Sequence, residues 1–149
     1  MGKKIVILLF IFSTFLPVYA KKFNIKKGDI IEGYFKVGVV LPIEYTKEVK
    51  KSDFEKLKKE PIQVYPIAIS FKDKILENCN GIGYVIYNPP LGRFYGTINQ
   101  ISCDENGKIK NYKTKGYILD GDKNIGINPV SIKPNVQTFI LFVEKIKKK

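Results

Sequence analysis

At 149 residues with a formal net charge of +12, the chain has room for one domain of ordinary size with its own core. It contains no histidine, which excludes serine–histidine and cysteine–histidine catalysis, the usual zinc sites and the commonest general base at neutral pH. Arg93 is the single arginine among many lysines. The guanidinium forks that usually recognise phosphate are therefore lacking, and no specific nucleic-acid partner is expected.

In chain order, the first element is a signal-like segment. Met1-Gly2-Lys3-Lys4 is basic, Ile5 to Leu16 is almost unbroken apolar sequence, and Val18 and Ala20 occupy the small-residue positions that signal peptidase needs. Cleavage after Ala20 is predicted, with residues 21–149 as a single exported β domain carrying a basic C-terminal tail. The location expected is the periplasm or the outer membrane. Lysines gather at 21–22, 26–27, 47–59 and 145–149. Such clusters serve solubility, and they also suit an anionic membrane surface.

Strand-like alternation then runs through most of the chain. Ile30 to Leu41 is β-branched and aromatic, with bends expected at Gly33 and Gly38 and an end at Pro42. Ser52-Asp53-Phe54-Glu55 has capping-box form and predicts a short helical excursion near residues 52–59. From Ile62 to Phe71 the pattern is again strand, with Tyr65, Ile67, Ile69 and Phe71 on one face. Pro66 inside that run predicts an edge position or a bulge. Gly83 to Tyr87 and Arg93 to Ser102 form the next pair, joined across Asn88-Pro89-Pro90. Asn106-Gly107 predicts a hairpin into Lys108 to Leu119. A turn at Asp120 to Lys123 leads to Ile125 and Ile127, and Thr138 to Val143 is a last apolar strand. Many short strands with glycine, asparagine and proline turns predict an all-β fold, a small barrel or sandwich.

The chemistry available is limited. Gly81-Ile82-Gly83 lacks the third glycine and the following helix of a dinucleotide loop. Asp120, Asp122 and Asn124 have the spacing of the first calcium-loop ligands, but Ile125 and Ser131 stand where a glycine and a glutamate are needed, so a β-turn is expected. No carboxylate pair is marked out for acid–base work. The expectation is a protein that is not an enzyme and carries no cofactor and no metal. Tyr84, Tyr87, Phe94 and Tyr95 around Arg93 suit either a stacking platform or ordinary cross-strand packing. In an exported protein the only two cysteines, Cys79 and Cys103, are expected as a structural disulfide, since a redox pair would more naturally be CxxC.

The cysteine-bounded segment resembles the TraB family of conjugative type IV secretion systems. That family's pattern runs C-x-x-x-G-x-x-Y, then R-x-Y, then L-S-C, a glycine turn, K-G-Y and D-G-K-x-G-I. Here Cys79 and Gly83 match its first part, with Tyr84 near the aromatic position. Arg93 and Tyr95 match the second part, and Ile101-Ser102-Cys103 the third. Lys115-Gly116-Tyr117 follows, and Asp120 to Ile127 is an expanded form of the last motif. Across roughly residues 25–127 the resemblance implies the first part of that family's periplasmic β-barrel domain. Family members usually add an inner-membrane helix, an envelope-spanning arm and an outer-membrane helical hairpin, none of which this sequence contains. The resemblance implies work by association with other envelope or core-complex subunits, with Arg93, Tyr84, Tyr87 and Tyr95 as interaction candidates. Arg93 is expected to pair with a carboxylate, inside the domain or on a neighbour. The alternative is a stand-alone periplasmic module binding an anionic or carbohydrate ligand.

Overall fold

A computed structural model describes residues 23–39 and 63–148. The signal segment and the helix expected near residues 52–59 lie outside the described residues. The strands are β1 (Ile30–Phe35), β2 (Val64–Phe71), β3 (Cys79–Asn88), β4 (Arg93–Glu105), β5 (Lys108–Leu119) and β6 (Gln137–Phe142), with a two-residue β7 (Lys147–Lys148). Each of the first six pairs antiparallel with the next, and β6 returns to pair with β1. The sheet therefore closes on itself as a six-stranded up-and-down barrel. The C-terminal apolar run supplies the closing strand, and β7 continues its line beside the first half of β5.

The expected alternation holds where one face is buried. Ile67 and Ile69 of β2 point inward with Val85, Phe94, Ile98, Ile118, Ile140 and Phe142, each 3 % exposed or less. Side chains fill the barrel, so its interior is a packed core. The turns follow local chemistry. Asn106 (φ 53°) and Gly107 (φ 80°) both take the left-handed conformation of a type I′ hairpin. Asp104 accepts a hydrogen bond from the Gly107 amide at 3.0 Å.

Interior glycine does work that the sequence pattern hid. Gly83 lies opposite Ile98 where the β3–β4 register slips by a residue. A Cβ there would sit 1.9 Å from the Thr97 carbonyl oxygen. The Gly81-x-Gly83 pair is thus strand backbone letting β4 approach closely at a bulge.

One expectation needs correction. The first strand does not run to Leu41. It ends at Phe35, whose amide donates to Val136 O (3.0 Å) and whose carbonyl accepts from the Asn135 amide (2.8 Å). The chain is drawn across to a distant loop there. After the turn at Asp120 to Lys123, Ile125 and Ile127 each make a single bridge, to Leu119 and Phe94 respectively.

The barrel has two distinct ends. At one, the Cys79–Cys103 disulfide joins directly opposed residues of β3 and β4, as the spacing led us to expect. Ile25, Leu76 and Tyr112 are buried in the same core cluster as both cysteines, and Phe23 meets the Tyr112 ring edge-on at 4.8 Å. At the other end Ile127 and Ile132 close the core under the link between β5 and β6. We call these the disulfide end and the loop end.

Tyr112 gives the disulfide end a pH response. Burial, then a hydrogen bond donated to Glu105, push its hydroxyl from the ordinary 10 up to about 12. A raised folded value stabilises the protein fully below pH 10, and that contribution is lost as pH rises through about 12. Spectrophotometric titration should show a tyrosine ionising near pH 12 that disappears in Tyr112→Phe. Identical titrations for the two proteins would refute the assignment.

Candidate functional site

With the interior filled, recognition falls to the outer surface. Outward residues of β2, β3 and β4 line up in cross-strand rows. Pro66 faces Tyr84, which faces Thr97, and in the next row Val64 faces Ile86, which faces Tyr95. Asn88 and Arg93 end the face toward the loop end. Val64 is 54 % exposed and Tyr84 37 %, while Ile86 and Tyr95 are half-buried. The result is an apolar, partly aromatic lateral face bounded by one guanidinium.

The backbone edge beside this face lacks a partner strand among the described residues. Pairing of β1 with β2 stops at Phe35 opposite Ile69, with one further bond from the Lys36 amide to Ala68 O at 2.9 Å. Among the described residues, Val64 to Ile67 meet no strand on that side. Alternate residues of a strand turn their backbone groups to alternate sides, so Pro66, two before Ala68, directs its ring nitrogen to this edge. A residue without an N–H is tolerated there: the sequence predicted an edge position or a bulge, and β2 is a strand paired on both sides that has no partner strand beside Pro66 among the described residues.

The predicted interaction residues do not form one platform. Tyr84 and Tyr95 lie outside on the lateral face. Tyr87 is three positions from Tyr84, so it falls on the inward side. Its ring packs against fully buried Phe94 at 5.1 Å, and burial raises its hydroxyl above the ordinary range. Tyr87 and Phe94 are direct cross-strand partners, as the packing alternative held. Arg93 is exposed, and its Nη1 donates to the Gly126 carbonyl at 3.5 Å. Among the described residues no carboxylate pairs with it, so an internal salt bridge is not formed there. Gly126 lies against the Tyr95 ring, which fixes Arg93 and Tyr95 beside the same loop.

Val64 and Ile86 are members of this face that residue-type reasoning passed over. Their signal was present: each is a large apolar residue in the outward phase of its strand. Asp120 has a purely local role. Its Oδ1 accepts from the amides of Asp122 (2.9 Å) and Asn124 (2.8 Å), closing the turn that was expected there in preference to a calcium loop.

The basic clusters at 21–22 and 47–59 lie outside the described residues. Lys26 and Lys27 lie at the disulfide end, and Lys147 of β7 sits directly opposite Lys113 of β5. No family model, curated protein or solved structure matches the chain, which leaves its function to be argued from the geometry of its own residues.

Proposed function

We propose that this chain is an exported, non-enzymatic β-barrel that serves as a structural or accessory subunit of a type IV secretion or conjugation envelope complex. The observation that carries this reading is the lateral face of Val64, Pro66, Tyr84, Ile86 and Tyr95, beside a backbone edge that no strand covers among the described residues. Together they suit strand addition or face-to-face packing with a neighbouring subunit. The TraB-like order of Cys79, Gly83, Arg93, Tyr95 and Cys103 supports the choice of complex, and the disulfide agrees with an oxidising compartment. On this reading the periplasm or outer-membrane surface is its location.

A photo-crosslinking residue at Tyr84 or Ile86 tests the proposal. Adducts with a second copy or with a core-complex subunit are expected there, and none from the same group at Asn111 on β5. A monodisperse monomer giving no adduct from either lateral position sinks the scaffold reading.

The second reading is a binding module for an anionic or carbohydrate ligand, and Arg93 beside Tyr95 with no carboxylate partner among the described residues favours it. It predicts a ligand-dependent rise in melting temperature that Arg93→Gln abolishes.

A further inference from the structure

Among the described residues, five exposed aliphatic residues stand at the loop end, against Ile30, Ile75 and Ile109 at the disulfide end. Leu91 in the β3–β4 turn is 61 % exposed, Ile125 67 % and Val130 66 %. Val64 at 54 % and Val37 at 39 % stand at the same end, where β2 begins and β1 has just ended. Each of the three most exposed tips is held by an asparagine or aspartate that fixes its turn. Asn88 Oδ1 accepts from the Leu91 amide at 3.3 Å, and Asn128 Oδ1 from the Val130 amide at 3.1 Å. Asp120 Oδ1 accepts from Asn124, immediately before Ile125, at 2.8 Å. Paired bonds between Phe94 and Ile127, at 2.9 and 2.8 Å, tie two of these turns together. The apolar tips are thus presented outward by fixed backbone, without the freedom to fold back and hide.

These tips are separate convex points, each on its own turn. A structured protein partner would need a matching pocket for each, whereas a fluid apolar layer accepts them without shape complementarity. The cations agree. Among the described residues, Lys36, Arg93, Lys123 (its Nζ 5.1 Å over the Phe139 ring) and Lys133 are exposed at this end, against the carboxylates of Asp120, already engaged with backbone amides, and Asp122. Aliphatic tips ringed by cations match the headgroup–acyl boundary of a bilayer carrying anionic lipid. We propose that the loop end of the barrel docks on an anionic bilayer, with Leu91, Ile125 and Val130 entering the boundary and Lys36, Arg93, Lys123 and Lys133 meeting the headgroups. The two surfaces meet at Val64 and Arg93, so the test turns on Leu91, Ile125 and Val130, which lie outside the lateral face.

The chain contains no tryptophan, so a single introduced one reports its own position. Leu91→Trp, Ile125→Trp and Val130→Trp would each be titrated, in the full chain, with phosphatidylglycerol/phosphatidylcholine vesicles carrying brominated acyl chains. Ile109→Trp is the control: that residue is 67 % exposed too, but lies in the hairpin at the disulfide end. The three loop-end reporters should shift to the blue and be quenched, and the control should not. Pure phosphatidylcholine or raised salt should weaken the effect. Leu91→Ser combined with Ile125→Ser should lower vesicle partition at least about tenfold, since each removes a whole aliphatic side chain from the boundary. An unchanged melting temperature would show that the double variant still folds.

Equal quenching at all positions, or none, overturns the proposal. Partition that survives the serine substitutions does so too, and would assign binding to the apolar segment Ile5 to Leu16. Binding to a soluble polyanion without vesicle partition would assign the cations to a polymer and equally overturn it.

Discussion

Gly83→Val should cost about 4 kcal/mol or more and leave little folded protein. The reason is geometric. The new Cβ would fall 1.9 Å from the Thr97 carbonyl oxygen and 2.6 Å from the Ile98 Cα, both backbone atoms that no rotamer change can move. Relief requires β3 and β4 to separate, breaking the ladder at the point where its register already slips. Gly121→Ala is the matched control: nothing lies within 4 Å of its Cβ position, and its stability should stay within about 0.5 kcal/mol of the parent. Denaturant unfolding of the three proteins makes the comparison. A Gly83→Val midpoint close to that of the parent would mean that the strands are not held together here.

The second large effect belongs to the disulfide. Cys79→Ala with Cys103→Ala, or reduction of the parent, should destabilise by about 3 kcal/mol on the chain-entropy account of a loop spanning 24 residues. For a domain of this size that lowers the melting temperature by about 10 °C or more. The loop contains the whole β3–β4 hairpin, so the bond confines in the unfolded chain what the ladder must otherwise assemble. It also lies in the packed core, with both sulfur-bearing residues 3 % exposed or less, and the alanine pair loses some packing in addition. Thermal melts with and without reductant, with intact mass to confirm the redox state, decide the matter. A reduced protein melting with the parent would show that the ladder alone sets stability at that end.

Much of the fold was legible from local pattern. Alternation placed Ile67 and Ile69 inward, Asn106-Gly107 specified its hairpin, and the isolated cysteines paired. What escaped was set by residues distant in sequence. The first strand ends at Phe35 because Asn135 and Val136 take its backbone groups, about a hundred residues further on. Nothing near Phe35 announces that. Gly83 offered locally only part of an incomplete nucleotide motif, because the Thr97 backbone that demands it belongs to another strand.

The candidate site was partly legible and partly misgrouped. Tyr84 with Tyr87, and Phe94 with Tyr95, differ by odd numbers of positions, and strand parity sends the members of each pair to opposite sides. That rule alone separates inward-packing Tyr87 and Phe94 from outward Tyr84 and Tyr95. The role of Arg93 was not readable, because its nearest partner is the carbonyl of Gly126 in a loop whose path no local pattern specifies.

Barrel closure also orders assembly in time. Strands β2 to β5 each find a partner in the neighbouring hairpin, so they can form in sequence as the chain emerges from a ribosome or a translocation channel. The opening strand cannot finish: one of its two edges waits for β6, the last of the six barrel strands to be released. Until then the seam between them is an unpaired edge with apolar residues on both sides, the point at which a nascent copy is most open to capture by another chain. Joining that seam closes the longest loop in the barrel, a late step whose entropic cost the earlier hairpins reduce by holding the two ends near each other.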